Sequence, residues 1–310
     1  MRIFENTHFD FLSNYRKSYL ISGVLLAIAL VSLIYPGLEA GIDFTGGTEF
    51  IVDTQTPIQP NQARQSLSGV LGDGVEAKEF GQPTTILIRT AVGGDADSLR
   101  TSLVNTLGSE FAGSNPEVVG TSSVGPRIAS DLAQKAIWLV LSALFVILLY
   151  IFIRFDWRYA VAAVITLAHD VIIVLGLFAL FHNVTPFSLQ IDQAIIAALL
   201  TIVGYSINDT VVVFDRIREY VQLFKTEPFA EVANRAVNTT LSRTILTSGT
   251  TLISVFVLFL LGGEVLKGFS LALLVGISVG TYSSIFVASP LVVALREKYA
   301  PSRRIVAARA

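Results

Sequence analysis

The chain contains no cysteine, which excludes disulfides, thiolate metal sites and cysteine nucleophiles. Its three histidines, His8, His169 and His182, are too scattered along the sequence to supply a metal cluster by themselves. Charge is also scarce, at 15% Asp, Glu, Lys and Arg, and it nearly cancels to a net −2. Soluble domains carry about 25% charge, so a soluble enzyme is disfavoured. A balance so close to neutral gives no global attraction for nucleic acid. What the chain has in excess is apolar surface, with 52% hydrophobic residues and a mean hydropathy of +0.64 over 310 residues. These values describe a polytopic membrane protein.

Six stretches are apolar and long enough for a bilayer crossing of about 20 residues. They lie near 18–35, 137–153, 159–181, 193–214, 245–262 and 268–295. The first follows Arg16 and Lys17, but its apolar run exceeds the roughly 7–15 residues of a signal-peptide core, so it reads as a span. Lysine and arginine are concentrated at the N-terminus (1–17), after spans two and four, and in the tail (296–310). Arg2, Arg154, Arg158, Arg216, Arg218, Arg303, Arg304 and Arg309 are among them. The loop after span three has no basic residue and that after span five only Lys267. The positive-inside rule then puts both termini in the cytoplasm.

Residues 36–135, between spans one and two, form an acidic segment of domain size that this topology places outside the cytoplasm. Strand patterns at Thr48–Asp53, Val75–Phe80, Thr84–Arg89 and Glu117–Ser122 alternate with helical ones at Pro60–Leu71 and Asp95–Phe111. A turn containing Gly81 and Pro83 joins the middle two strands. The order β-α-β-β-α-β predicts a ferredoxin-like α+β domain. The Gly-rich run Gly41–Thr48 precedes the first strand and matches no phosphate-binding loop, so on spacing alone it is a tight turn.

A charged side chain within a spanning helix costs about 2.5–3.5 kcal/mol on insertion scales, and so points to function. Asp209 lies in span four, His169 and Asp170 in span three, and Arg243 at the start of span five. Thr201, Tyr205, Asn208 and Asp209 share one helical face, and Arg243, Thr247, Thr250 and Ser254 form a polar stripe on span five. If the stripes face each other, Asp209 is a titratable site and Arg243 its counter-charge; a static ion pair docking two helices is the simpler alternative. Neighbouring positions on a helix point about 100° apart, which allows at most one of His169 and Asp170 onto that path. Asp215, Arg216, Arg218 and Glu219 read as a solvated helix end, Glu227–Val237 as a short amphipathic helix, and Gly276 with Gly280 as a close-packing face.

Several motifs together resemble the SecF family of protein-export membrane subunits, in the resistance-nodulation-division superfamily. They are Gly41-Ile-Asp43-Phe-Thr-Gly46-Gly47-Thr48, Val124-Gly125-Pro126, Tyr205-Ser-Ile-Asn-Asp209-Thr-Val-Val-Val-Phe-Asp-Arg216, Leu241-Ser-Arg243-Thr244 with Thr247-Ser248, and Gly262-Gly263. The resemblance covers essentially the whole chain. It implies a non-enzymatic subunit of the bacterial cytoplasmic (inner) membrane that uses the proton-motive force, with SecD, to promote late steps of export. It implies Asp209 and Arg243 as members of a proton relay completed by a SecD carboxylate, with Asn208, Thr247, His169 and Asp170 as weaker candidates. The expected partners are SecD, the SecYEG channel with its associated subunits, exported polypeptides and membrane lipid. No cofactor is expected beyond protons as coupling ion. Half of a small-molecule or lipid exporter of the same superfamily is the alternative, disfavoured because such exporters generally have much larger outer loops.

Overall fold

A computed structural model describes residues 9–72, 74–91 and 95–298. Arg2 and His8, and the tail arginines Arg303, Arg304 and Arg309, lie outside the described residues. The chain begins with helix α1 (Tyr15–Ile34) and a single turn α2 (Ile42–Thr45). A small domain follows: β1 (Gly47–Asp53), α3 (Pro60–Leu71), β2 (Glu76–Phe80), β3 (Gln82–Thr90), α4 (Ala96–Glu110) and β4 (Glu117–Val124). The remainder is helical: α5 (Pro126–Arg154), α6 (Trp157–Phe181), α7 (Gln193–Leu223), α8 (Phe229–Leu261) and α9 (Glu264–Ser283). A π-helical turn, Ser284–Ala288, joins α9 to α10 (Ser289–Lys298). Six helices are long and apolar enough to cross a membrane, with α9, the π turn and α10 forming one of them. The 20 residues of α1 span about 30 Å at 1.5 Å per residue, the thickness of a hydrocarbon core.

The domain sheet has the order β2-β3-β1-β4 with antiparallel pairs throughout, which is the ferredoxin-like topology. Phe50, Val52, Ile86 and Ile88 point to one face, where Ala63, Leu67 and Leu71 of α3 and Leu99, Leu103 and Leu107 of α4 cover them. Alternation then sends Glu49, Leu87 and Arg89 to the other face. There Glu49, Arg89 and Glu76 stand side by side across β1, β3 and β2.

Some boundaries differ from the sequence reading, each for a local reason. The strand β3 begins at Gln82, so Pro83 belongs to the strand and Gly81 (φ 79°) makes the turn. The helix α5 starts at Pro126, well before the apolar run at 137, because proline at a first helical position lacks only an N–H that would be orphaned anyway. Residues 227–237 do not form a separate helix. Nothing interrupts the pattern after Pro228, so they merge into the 33-residue α8. The lead-in at Gly41–Thr48 is more than a tight turn, since it contains α2 and is bonded to the membrane helices.

The membrane helices pack closely where side chains are small. A Cβ on Gly176 of α6 would overlap Ala29 of α1, and one on Gly276 of α9 would overlap Ile202 of α7. Gly280, one turn on, lies against Ser206. The Gly276/Gly280 face is therefore a helix-docking surface, as its spacing predicts.

Candidate functional site

The centre of the bundle holds a polar seam where α6, α7, α8 and the end of α9 meet. Asp170 of α6 is fully buried and has three partners. His169 Nδ1 lies 2.8 Å from Oδ1, while Ser206 Oγ of α7 and Ser283 Oγ of α9 donate to Oδ2 at 2.6 and 2.8 Å. Both His169 and Asp170 are buried, but only Asp170 bonds across to α7 and α9. The 100° between adjacent positions is bridged because the imidazole Nδ1 sits close to its own backbone and bonds the next residue's carboxylate.

One turn along α7, Asp209 is 7% exposed. Its Oδ1 accepts from Thr244 Oγ1 of α8 at 3.2 Å, and Ser284 of the π turn flanks it. Its Oδ2 is buried without a hydrogen-bond partner. That oxygen can take up a proton without breaking an existing bond. The π turn opens the helix where these carboxylates lie, and Ser289 Oγ donates to the Ser284 carbonyl at 2.9 Å within it.

The span-five stripe does not face α7. Arg243, Thr247, Thr250 and Ser254 are all exposed, and the hydroxyls of the last three donate to carbonyls of their own helix. No salt bridge joins Arg243 to Asp209 among the described residues, although Arg243 is near enough to act on that carboxylate electrostatically. The stripe one position along does the internal bonding: Thr244 to Asp209, Ser248 with Thr281, and Thr251 with Tyr205. Asn208 and Thr201 are likewise exposed, on the outer side of α7. Ser206 and Thr244 are buried neighbours of these carboxylates that the polar-stripe reading did not single out, and Ser283 and Ser284, read only as part of a close-packing face, join them. Thr244 adjoins Arg243 in sequence, and a shift of one position on a helix was enough to hide it.

The Gly-rich run and Val124–Pro126 meet at the base of the domain. Gly41 N–H donates to the Ile191 carbonyl (2.8 Å) and Ile191 N–H to the Glu39 carbonyl (2.7 Å), a short parallel bridge onto the segment before α7. Asp43 Oδ2 accepts from Gln193 N–H at 3.1 Å at the first turn of α7. Gly46 (φ 74°) leaves no room for a side chain beside Pro126, and a Cβ on Gly47 (φ 127°) would lie 2.6 Å from the Thr90 carbonyl oxygen. Gly125 caps α5 directly ahead of Pro126. The β2–β3 turn adds Gly81 N–H donating to the Pro186 carbonyl at 2.9 Å.

Charge reinforces this joint. Arg89 donates to the Ala40 carbonyl (3.2 Å) and lies 3.5–3.7 Å from Glu49, Glu76 and Glu39. Glu39 also pairs with Lys78 and accepts from Gln190. Burial pushes the Glu39 carboxyl up, but Lys78 and its other donors outweigh that and hold it below the ordinary value. Burial raises Glu49, Glu76 and Asp192, the last being the N-cap of α7. Among the described residues, no three His, Asp or Glu side chains converge as a metal site.

A family model described as "Protein export membrane protein SecD/SecF, C-terminal" matches residues 104–298. The chain is 56% identical over its full length to a protein translocase subunit SecF of Rhodothermus marinus, of which it covers 100%. The chain belongs to the SecF family. It is also 39% identical to the SecF subunit of Escherichia coli O157:H7, covering 94% of this chain and 88% of that one. The crystal structure of SecDF from Thermus thermophilus, a translocon-associated membrane protein, superposes with a TM-score of 0.83 at 39% identity. The match covers 94% of this SecF-family chain and 39% of the SecDF chain. Family membership and the six apolar helices make it a multi-pass membrane protein with a role in protein export.

Proposed function

We propose that this chain associates with SecD and uses the proton-motive force to promote late steps of protein export, with Asp209 as its proton-binding group. The observation that carries the reading is the half-satisfied Asp209 carboxylate, one oxygen held by Thr244 and the other buried without a partner. A scaffold would have no use for such a group at that depth. The second half of the relay lies on the outside of α8, where Arg243 and its hydroxyl stripe interrupt an apolar surface. Such a stripe is costly against lipid and well suited to a carboxylate from SecD. The SecDF relative, which is 40% identical to this chain over 294 residues, supports association with SecD.

The protein acts without covalent catalysis and without a cofactor, protons being the coupling ion. It sits in the bacterial cytoplasmic membrane with both termini inside, the ferredoxin-like domain outside, and the SecYEG channel and emerging polypeptides as further partners. One charge crossing a 100 mV potential supplies about 2.3 kcal/mol, enough to bias a two-state packing of α7 and α8. The test is export completion in inverted vesicles containing this chain and its SecD, with and without a proton gradient. Asp209→Asn is expected to assemble normally and lose the acceleration that the gradient gives wild type. A gradient response equal to wild type would rule out the relay role.

A further inference from the structure

At the end of the bundle opposite the ferredoxin-like domain, α6, α7 and α10 line an open cavity of about 220 Å³. Arg158, Arg218 and Arg296 line it with Tyr159 and Gln222, and Asp156 is the one carboxylate among the lining residues. Each guanidinium lies over an aromatic ring: Arg158 over Trp157 at 5.5 Å, Arg218 over Phe155 at 5.3 Å, and Arg296 over Phe229 at 4.2 Å. Stacking engages the guanidinium face, and on Arg296 it leaves edge N–H donors for a further acceptor. Two of the three also meet local acceptors. Arg158 reaches Asp156 at 3.4 Å; Arg218 donates to the Arg154 carbonyl at 3.0 Å and lies 3.8 Å from Asp215.

Tyr159 provides the independent sign of a ligand. It is 5% exposed, and its buried hydroxyl has Arg296 beside it but no acceptor for its own proton. The neighbouring cation at that hydroxyl is Arg296, which can only donate, so the phenolic proton lacks an acceptor. Arg158 has Asp156 and Arg218 has Asp215 nearby, so the excess positive charge of the lining centres on Arg296, beside the Tyr159 hydroxyl whose proton lacks an acceptor. That set calls for an anion with several acceptor oxygens, and a phosphate group supplies them.

We propose that this cavity binds the headgroup phosphate of an anionic phospholipid. The cavity lies at the ends of α6 and α7 that the charge pattern puts at the membrane interface, where Trp157 and Tyr220 would serve as interfacial aromatics. Phe152, Ile153 and Leu223, on adjacent turns of α5 and α7, are exposed and offer apolar surface to the acyl chains. Basic pockets between membrane helices are the usual form of such sites. A bound lipid ties α10 to α6 and α7, and so braces the segment that follows the π turn beside Asp209.

The test uses the full chain, purified in detergent and stripped of lipid, with binding measured by thermophoresis. The probes are dioctanoyl phosphatidylglycerol, dioctanoyl phosphatidylcholine and inorganic phosphate. Phosphatidylglycerol is expected to bind, phosphatidylcholine to bind at least tenfold more weakly, and inorganic phosphate not to displace the lipid at equal concentration. Arg296→Gln should weaken phosphatidylglycerol binding about fivefold, the effect of one basic residue near a charged surface. Tyr159→Phe removes a single buried oxygen and should weaken it by a similar factor. Arg296→Lys should keep most of the affinity, which separates loss of charge from loss of fold, as does unchanged circular dichroism. Equal binding of the two lipids, or unchanged affinity in both Arg296→Gln and Tyr159→Phe, overturns the proposal. Displacement by inorganic phosphate at equal concentration overturns the lipid assignment in favour of a free anion.

Discussion

Asp170 is held by donors from α7 and α9 as well as from its neighbour His169, so it ties three helices at one point. Removing the donors should cost more than removing the charge. Hydroxyl bonds between membrane helices average about 0.6 kcal/mol and reach about 1.7, and a charged acceptor moves them toward the upper end. Ser206→Ala or Ser283→Ala alone should therefore cost about 1–1.5 kcal/mol, since Oδ2 keeps one donor in each case. The double variant strips Oδ2 bare in a fully buried position, and uncompensated buried charge costs about 3–5 kcal/mol. The double loss should exceed the sum of the single losses by about 1 kcal/mol or more. Adding Asp170→Asn to the double variant should then recover stability. The Ser283 hydroxyl shows how readily such groups find other acceptors, since it already reaches the Gly280 carbonyl at 3.1 Å. Equilibrium unfolding in mixed micelles, followed by far-UV circular dichroism at neutral pH, measures all four proteins. If the two serine losses add to within about 0.5 kcal/mol, and Asp170→Asn recovers nothing, Asp170 does not act as the common acceptor.

The domain joint offers a pH test with opposed signs. Glu76 has a folded-state pKa above its ordinary 4.5, mainly through burial, so its charge costs stability above that raised value and the cost vanishes as the pH falls through it. Glu39 lies below 4.5, so its contribution is complete above 4.5 and fades as the pH drops through the lowered value. In thermal melts at pH 7.5, Glu76→Gln should raise Tm, with an advantage that shrinks toward pH 5, whereas Glu39→Gln should lower it; shifts of the same sign would refute the assignment. Gly176→Leu should weaken α1 docking by at least the 1–3 kcal/mol of an overpacked core, read as a lower Tm in detergent. Gly69→Ala, in α3 with open space around it, should instead stabilise by about 0.5–1 kcal/mol. Gly47→Ala should cost about 1–3 kcal/mol, from its φ of 127° and the Thr90 carbonyl, measured in the same melts.

The parts of the molecule that depend on short-range pattern were legible from residues alone. Pro60–Leu71 is a helix with the bounds its spacing predicts, because Pro60 starts it and Ala63, Leu67 and Leu71 share a buried face. The six apolar runs, the ferredoxin-like order and the Gly276/Gly280 face follow from equally local rules. What resisted was rotation about a helix axis. Span five carries polar residues on two adjacent stripes, one beginning at Arg243 and the other at Thr244, and spacing cannot say which turns inward. Charge favoured Arg243, yet the short Thr244 hydroxyl fits between packed helices while a guanidinium does not. The domain joint was hidden for a different reason. Glu39, Arg89 and Gln190 are far apart in sequence, and each looks like an ordinary solvated residue until the fold brings them together.

The inward polar stripe of α8 and the domain joint have a common element in α7. Its N-cap Asp192 adjoins Ile191 and Gln193, which carry the main-chain bonds to the Gly-rich run. Asp209 lies 17 residues further, about 25 Å along a continuous helix. The helix has no proline and no break over that length, so an axial shift at Asp209 is transmitted to Ile191 rather than absorbed. At Ile191 the shift meets a backbone bridge rather than side-chain contacts, and the positive-φ glycines Gly46 and Gly47 then seat the run closely against Pro126 and Thr90. The domain base therefore moves with α7 or its hydrogen bonds break.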